Sequence, residues 1–155
     1  MAQNNGIESV TSGPTVFPAP VSKTGTITSD GTVVTGTTTN FSADVEAGDW
    51  IWNPTASEVR QVRSVSESGE WLYLEKAFSA NITTGIALQV VPSPINRVVS
   101  IANIGSANGT VDGETFIPTQ SATDDRTSMA GRLQEYVDPI VLNGSGTELQ
   151  VKWSK

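Results

Sequence analysis

The sequence predicts an all-β protein made of small antiparallel β-barrel or sandwich units preceded by an extended N-terminal arm. Charged residues are only 16% of the 155, apolar residues 37%, and Gly, Ser and Thr fill much of the rest, a composition that suits short extended segments joined by tight turns. Runs of β-branched and aromatic residues recur along the chain, separated by Gly, Asp, Asn and Pro. The opening stretch instead carries three prolines and no sustained periodicity.

A chain of this length holds one well-packed domain or two very small ones. The pattern divides it into an extended Pro-rich arm over 1–22, a small β-barrel module over 23–93, and a second β-rich unit over 94–155 packed on the first. In the arm, "GPTVFPAP" lacks backbone donors at its prolines, and each proline holds its predecessor extended, so the segment is expected to stay out of any sheet. One reading of the segment is a disordered tail; the other is that Val16 and Phe17, set between the prolines, anchor such an arm in a groove on a partner.

The barrel module begins with "TGTITSDGTVVTG", two β-rich runs around Ser29, Asp30 and Gly31, where Asp and Gly supply hairpin chemistry. The following "VVTGTTTNF" reads as a solvated edge, since threonine is β-branched and tolerates water. Strands are then expected in "GDWIWN", "EVRQVRSVSE", "EWLYLEKAF" and "GIALQVVPS". The second unit opens on the apolar run "INRVVSIANI", continues through "SANGTVDGETFIP" with its Asn-Gly and Asp-Gly hairpin signals, and closes on "TELQVKW". In that last run Leu149, Val151 and Trp153 share one face, and Gln150 and Lys152 the other. Between them, Met129, Leu133, Tyr136 and Val137 fit helical spacing, but Gly131 and the short length favour an irregular loop from about 119 to 131 followed by a strand.

Composition also excludes chemistry. With no cysteine and no histidine, disulfides, thiolate nucleophiles, the commonest general base and the usual zinc ligands are absent. A net charge of −7 with nine Lys and Arg residues opposes nucleic-acid binding. No apolar run reaches the roughly 18 to 20 residues that span a bilayer, and "MAQNNGIESV" lacks the basic start and apolar centre of a signal peptide, so no membrane association is expected and the cytoplasm is the expected site of synthesis. Asp44, Glu46 and Asp49, or Asp124 and Asp125, are the carboxylates grouped closely enough to consider for glycoside hydrolysis, but on turns such groups read as solvated caps. No loop has the spacing of a calcium cage. The expectation is a non-enzymatic protein without cofactor or metal.

The aromatics carry the remaining signal. Residues two apart on a strand point the same way, so Trp50 and Trp52 share a face opposite Ile51, while Trp71 and Tyr73 share one opposite Leu72 and Leu74. One face fills the barrel and the other needs a cover. Three covers fit: another part of the same chain, a subunit or partner interface, or a sugar ring stacked on the aromatic platform.

The stretch "GTITSDGTVVTGTTTNFSADVEAGDWIWNPTASEVRQVRSVSESGEWLYLEKAF" resembles a small β-barrel module of tailed-bacteriophage virion proteins, in which a hairpin of the form G-T-h-x-x-x-G-x-x-V-x-G-x-x-T-x-F, with h apolar, leads to G-D-x-I and then a V-x-S-V strand. Gly25, Thr26, Gly31, Val34, Gly36, Phe41, Gly48, Asp49, Ile51, Val62, Ser64 and Val65 occupy those places. The likeness covers about residues 24–92, and the module occurs in head and tail proteins alike. The remainder is similar, more weakly, to a second β-rich phage unit through "NIGSANGTVDG" and "DPIVLNGSGTELQV". The resemblance implies a virion structural role, foremost that of a capsid decoration or cement protein: a homotrimer on the capsid surface, made in the host cytoplasm, that bridges neighbouring major capsid proteins. On that analogy the arm reaches across a capsid subunit through Val16 and Phe17, and Trp50, Trp52, Trp71 and Tyr73 pack around the threefold. A tail, neck or baseplate component, and a carbohydrate-binding host-attachment module, are the alternatives.

Overall fold

The computed structural model describes residues 5–92, 97–118, 121–123 and 139–154. The elements run β1 (Asn5–Val10), β2 (Thr15–Phe17), β3 (Val21–Asp30), β4 (Val33–Thr37), the one-turn helix α1 (Phe41–Asp44), β5 (Trp50–Asn53), β6 (Glu58–Val65), β7 (Trp71–Leu74), β8 (Ile86–Val91), β9 (Arg97–Asn103), β10 (Gly109–Val111), β11 (Glu114–Phe116), β12 (Ser121–Thr123), β13 (Ile140–Asn143) and β14 (Leu149–Ser154). The protein is therefore nearly all β. It divides into two compact units, one formed by Ala19–Pro94 and the other by Met1–Pro18 together with Ile95–Lys155.

The first unit is a closed six-stranded antiparallel barrel in the order β3-β4-β7-β6-β5-β8. Alternation fills it: Ile27, Val34, Ile51, Leu72, Leu74 and Leu88 are all 1% exposed or less and meet in one cluster. Phe41 completes that cluster at 0% exposure. A four-residue helix has no stability of its own, so α1 exists because Phe41 is buried and because Asn40 O accepts the amides of Ala43 and Asp44. Closure needs an irregularity in β3, whose register shifts between Ser22 and Thr26. Gly25 sits there at φ 94°, with a hypothetical Cβ only 2.5 Å from Thr37 O, so only glycine fits. The β3–β4 turn falls at Gly31 and Thr32, between the paired Asp30 and Val33. The threonine-rich β4 is solvated on its outer side at Thr35 and Thr37, as expected, but it is not an edge: it is paired with β3 and β7.

The second unit is a sandwich. One sheet has the order β1-β14-β9-β12 and the other β11-β10-β13-β2. Val10, Ile101, Leu149 and Val151 from the first sheet share a core with Phe17, Val111, Phe116, Ile140 and Leu142 from the second. Asn103, 1% exposed, is a satisfied polar tie within it. Its Nδ2 donates to Ala107 O (2.8 Å) and Phe116 O (2.7 Å), and its Oδ1 accepts from Gly105 N (3.1 Å) and Thr147 Oγ1 (2.8 Å). The Asp-Gly hairpin forms at Asp112 and Gly113, both with positive φ as a type I′ turn requires. The β14 alternation also holds, with Leu149 and Val151 fully buried and Lys152 exposed.

Two further expectations are corrected. The N-terminal segment is not an arm held apart from the sheets. β1 pairs along its whole length with β14, and β2 pairs with β13. The prolines mislead because Pro14 and Pro18 bracket β2 without occupying it, leaving Thr15, Val16 and Phe17 their donors. The unit boundary moves with it, so residues 1–18 belong with the C-terminal part. The second correction is β12, which pairs with β9 inside the expected loop; three residues are too few to show a period. The rest of that loop, with the helical spacing at Met129, Leu133, Tyr136 and Val137, lies outside the described residues.

Phe17→Ala is expected to destabilise the protein by about 3–5 kcal/mol through the cavity it opens in the sandwich core. Urea unfolding, followed by circular dichroism, checks this; an arm side chain would cost almost nothing.

Candidate functional site

The barrel wall presents its outer side chains by strand parity, and the parity is as expected. Ile51, Leu72 and Leu74 point inward and are fully buried, which turns Trp50, Trp52, Trp71 and Tyr73 outward. The four aromatics do not form one platform. β6 runs between β5 and β7, so the two pairs are separated by two strand spacings, about 10 Å.

Their exposure also differs. Trp52 is 3% exposed and Trp50 half-buried, so the β5 pair is largely withdrawn from solvent. Tyr73 is half-buried with the Arg63 guanidinium 6.0 Å from its ring centre, a cation–π contact that occupies part of its face. Trp71, at 41%, is the open aromatic of the wall. It lies beside exposed Thr35 on β4.

Val16 and Phe17 are elsewhere. They are 2% and 4% exposed, and the Phe17 ring lies 6.4 Å from that of Trp153. Phe17 belongs to the sandwich core, and Val16, on the opposite face of β2, is also withdrawn from solvent, so neither is exposed for the expected docking role.

The carboxylates considered for catalysis behave as turn groups. Asp49 Oδ2 accepts the Glu46 amide at 2.8 Å, and Asp44 pairs with Lys23 at 3.8 Å. Asp124 and Asp125 lie outside the described residues. Among the described residues no group of three or more Asp, Glu, His or Cys side chains is placed to hold a metal ion.

A feature that the sequence reading missed closes one end of the barrel. The segment 75–85 crosses that end as a strap, with Phe78 and Ile82 buried beneath it. Glu58 Oε2 accepts the Ser79 amide (2.9 Å), Arg60 Nε donates to Ala77 O (2.8 Å), and the two side chains pair at 3.1 Å with Arg60 lying over the Phe78 ring. At the other end Asn81 Nδ2 donates to Asp30 Oδ1, and Asn81 Oδ1 accepts from Gly31 N, both at 3.0 Å. The register sets Glu58 opposite Asn53 and Arg60 opposite Ile51, on the inward side. Charges at inward positions of an alternating strand were the available signal. Between the strap and the β5–β6 turn lies an open groove of about 520 Å³, lined by Thr55, Ala56, Ala80, Ile82, Thr83 and Thr84 among others. Its lining has no titratable side chain, so it offers contact and not acid–base chemistry.

No known protein family, no characterised protein and no solved structure matches this chain.

Burial alone would raise the Glu58 carboxyl, but bonds from the Ser79 amide and hydroxyl, with the Arg60 charge, outweigh it and hold the group below the usual carboxylate range. A lowered folded value means that the strap's stabilisation is complete above the ordinary Glu range and is lost as pH falls through the lower folded value. Glu58→Gln should therefore flatten the acid-side decline of the urea midpoint between neutral pH and about pH 3. Trp71→Ala should leave stability within about 0.5 kcal/mol, whereas Trp52→Ala should cost about 3–5 kcal/mol in the same assay.

Proposed function

We propose that this chain is a non-enzymatic structural protein of a tailed-phage virion, acting as a capsid decoration protein that stabilises the head by bridging major capsid proteins. The observation that carries the reading is the place of the resembling motif in the barrel. Gly25 and Gly31 take the positive-φ positions at the β3 irregularity and the β3–β4 turn, Gly48 stands at φ 98° before β5, and Val34, Phe41, Ile51 and Val62 fill the interior. A motif whose turn glycines and apolar positions build the same small barrel supports a shared module, and the virion setting is what that resemblance implies.

With Val16 and Phe17 both buried, attachment in this proposal passes to the barrel's outer wall. Trp71 is its centre, with Tyr73 two residues along β7 and Arg63 over the Tyr73 ring, because Trp, Tyr and Arg are the side chains favoured at protein contacts. The trimer of the decoration reading would bring several such walls to the capsid at once, and multivalent attachment would make weak single contacts sufficient.

The test is to co-produce the chain with the head and tail proteins of its virion and count copies per particle by quantitative mass spectrometry. Decoration predicts saturation at on the order of hundreds of copies on heads alone, lost or strongly weakened by Trp71→Ala. A handful of copies on tails would replace it with the tail reading. Failure to bind particles, with tryptophan fluorescence responding to glycans, would replace it with the carbohydrate-binding reading, for which the open Trp71 face is the favouring observation.

A further inference from the structure

Asn-Gly pairs shape turns, but they also react. When the glycine nitrogen reaches the preceding asparagine Cγ, an N–Cγ bond forms and the Cγ–Nδ2 bond breaks. Ammonia leaves with the proton from the glycine nitrogen, and a five-membered succinimide remains. Water then opens the ring at either carbonyl, giving aspartate or isoaspartate and one more negative charge. Glycine favours the step because it has no Cβ to hinder the approach and its backbone turns freely. The chain contains three such pairs: Asn5-Gly6, Asn108-Gly109 and Asn143-Gly144.

The fold treats the last two differently. At Asn143 each participant is held. Asn143 Oδ1 accepts the Ser145 amide at 3.0 Å, and the attacking group, Gly144 N–H, donates to Ser12 O at 2.9 Å. Gly144 also lies so close to β1 that a Cβ built on it would be 2.0 Å from Val10 O, leaving the backbone no room to turn. Gly109 is also buried, with a built Cβ 3.0 Å from Asn143 O and from Leu149 Cδ2, but this is looser than at Gly144, and Asn108 itself is unrestrained. It is exposed, and its side chain makes no hydrogen bond to any described residue. Gly109, the nucleophile, stands on the last rung of the β10–β11 ladder, opposite Phe116. The Phe116 carbonyl on that rung is already engaged by Asn103 Nδ2 at 2.7 Å. A terminal rung of a short hairpin opens at small cost, so Gly109 N becomes available without unfolding the sandwich.

The geometry points to Asn108 as a site of spontaneous deamidation in the folded protein, with Asn143 protected until the sandwich opens. The product has a local effect. An aspartate adds a carboxylate to a hairpin that already carries Asp112 and Glu114, and an isoaspartate adds a methylene to the backbone immediately before β10, pulling Gly109 out of register with Phe116.

The test uses the full chain, incubated at mildly alkaline pH with and without urea, digested with trypsin and compared with a time-zero sample by mass spectrometry. Cleavage after Lys and Arg places Asn5 in peptide 1–23, Asn108 in 98–126 and Asn143 in 133–152, and fragment ions separate Asn108 from Asn103. In the native protein Asn108 should convert roughly ten-fold or more faster than Asn143, the ratio that two additional hydrogen bonds to be opened would give, and in urea the two rates should converge. Equal native rates would overturn the proposal, as would a rate ratio that urea leaves unchanged. Asn108→Gln, shown to be folded by circular dichroism, should lack the acidic form that peptide 98–126 carries in the parent protein; its persistence, which would place the change at Asn103, would equally overturn the proposal.

Discussion

β3 is hydrogen-bonded along both sides, to β4 on one and to β8 on the other, and this double pairing turns a meander of short strands into a closed wall. Without it β8 would end the sheet, and Ile27, Val34 and Leu88 would have no common interior to fill. The shift between Ser22 and Thr26 lets one strand serve two neighbours whose directions diverge, and Gly25 makes the shift sterically feasible. Closure also leaves the barrel without edge strands, so what it offers a partner is a set of side chains on a rigid wall. The sandwich, in contrast, does have edges. On one of them, β1, the exposed Glu8 stands opposite Val151, and a charge on an edge strand discourages further strands from adding.

Much of this was legible in the sequence because a period of two is unforgiving. Once "WIW" and "WLYL" are strands, Ile51, Leu72 and Leu74 must go in together and the tryptophans and Tyr73 must go out. Gly31 and the Asp112-Gly113 pair marked turns for a steric reason that needs no tertiary context. What was not legible depends on distant partners. Residues 5–17 look like a tail because nothing near them in sequence can pair with them; their partners are β13 and β14, at the far end of the chain. The strap over the barrel was hidden for the same reason, since Glu58 and Arg60 look like ordinary surface charges until Ala77 and Ser79 come to meet them.

Parity gave the direction of each aromatic but not its cover, and cover decides availability. Trp52 and Trp71 have the same orientation on neighbouring parts of one wall, yet one is withdrawn from solvent and the other open. The proposed attachment surface is therefore smaller than the run of aromatics suggests, and it is centred on one side chain instead of four.

The sandwich is written in two pieces, with the whole barrel inserted between β2 and β9. During synthesis β1 and β2 leave the ribosome before the barrel and β13 and β14 after it, so β1 and β2 must wait unpaired while the barrel, whose strands all lie within 19–94, is already able to close. Closing so long an interval costs only slowly more as it lengthens, because the loop penalty grows with the logarithm of its length, and a folded insert shortens the effective gap. The nested order thus makes the sandwich a check on completeness. A chain that stops before β13 can hold a finished barrel but never a finished second unit, and β1 and β2 are then left without their partners.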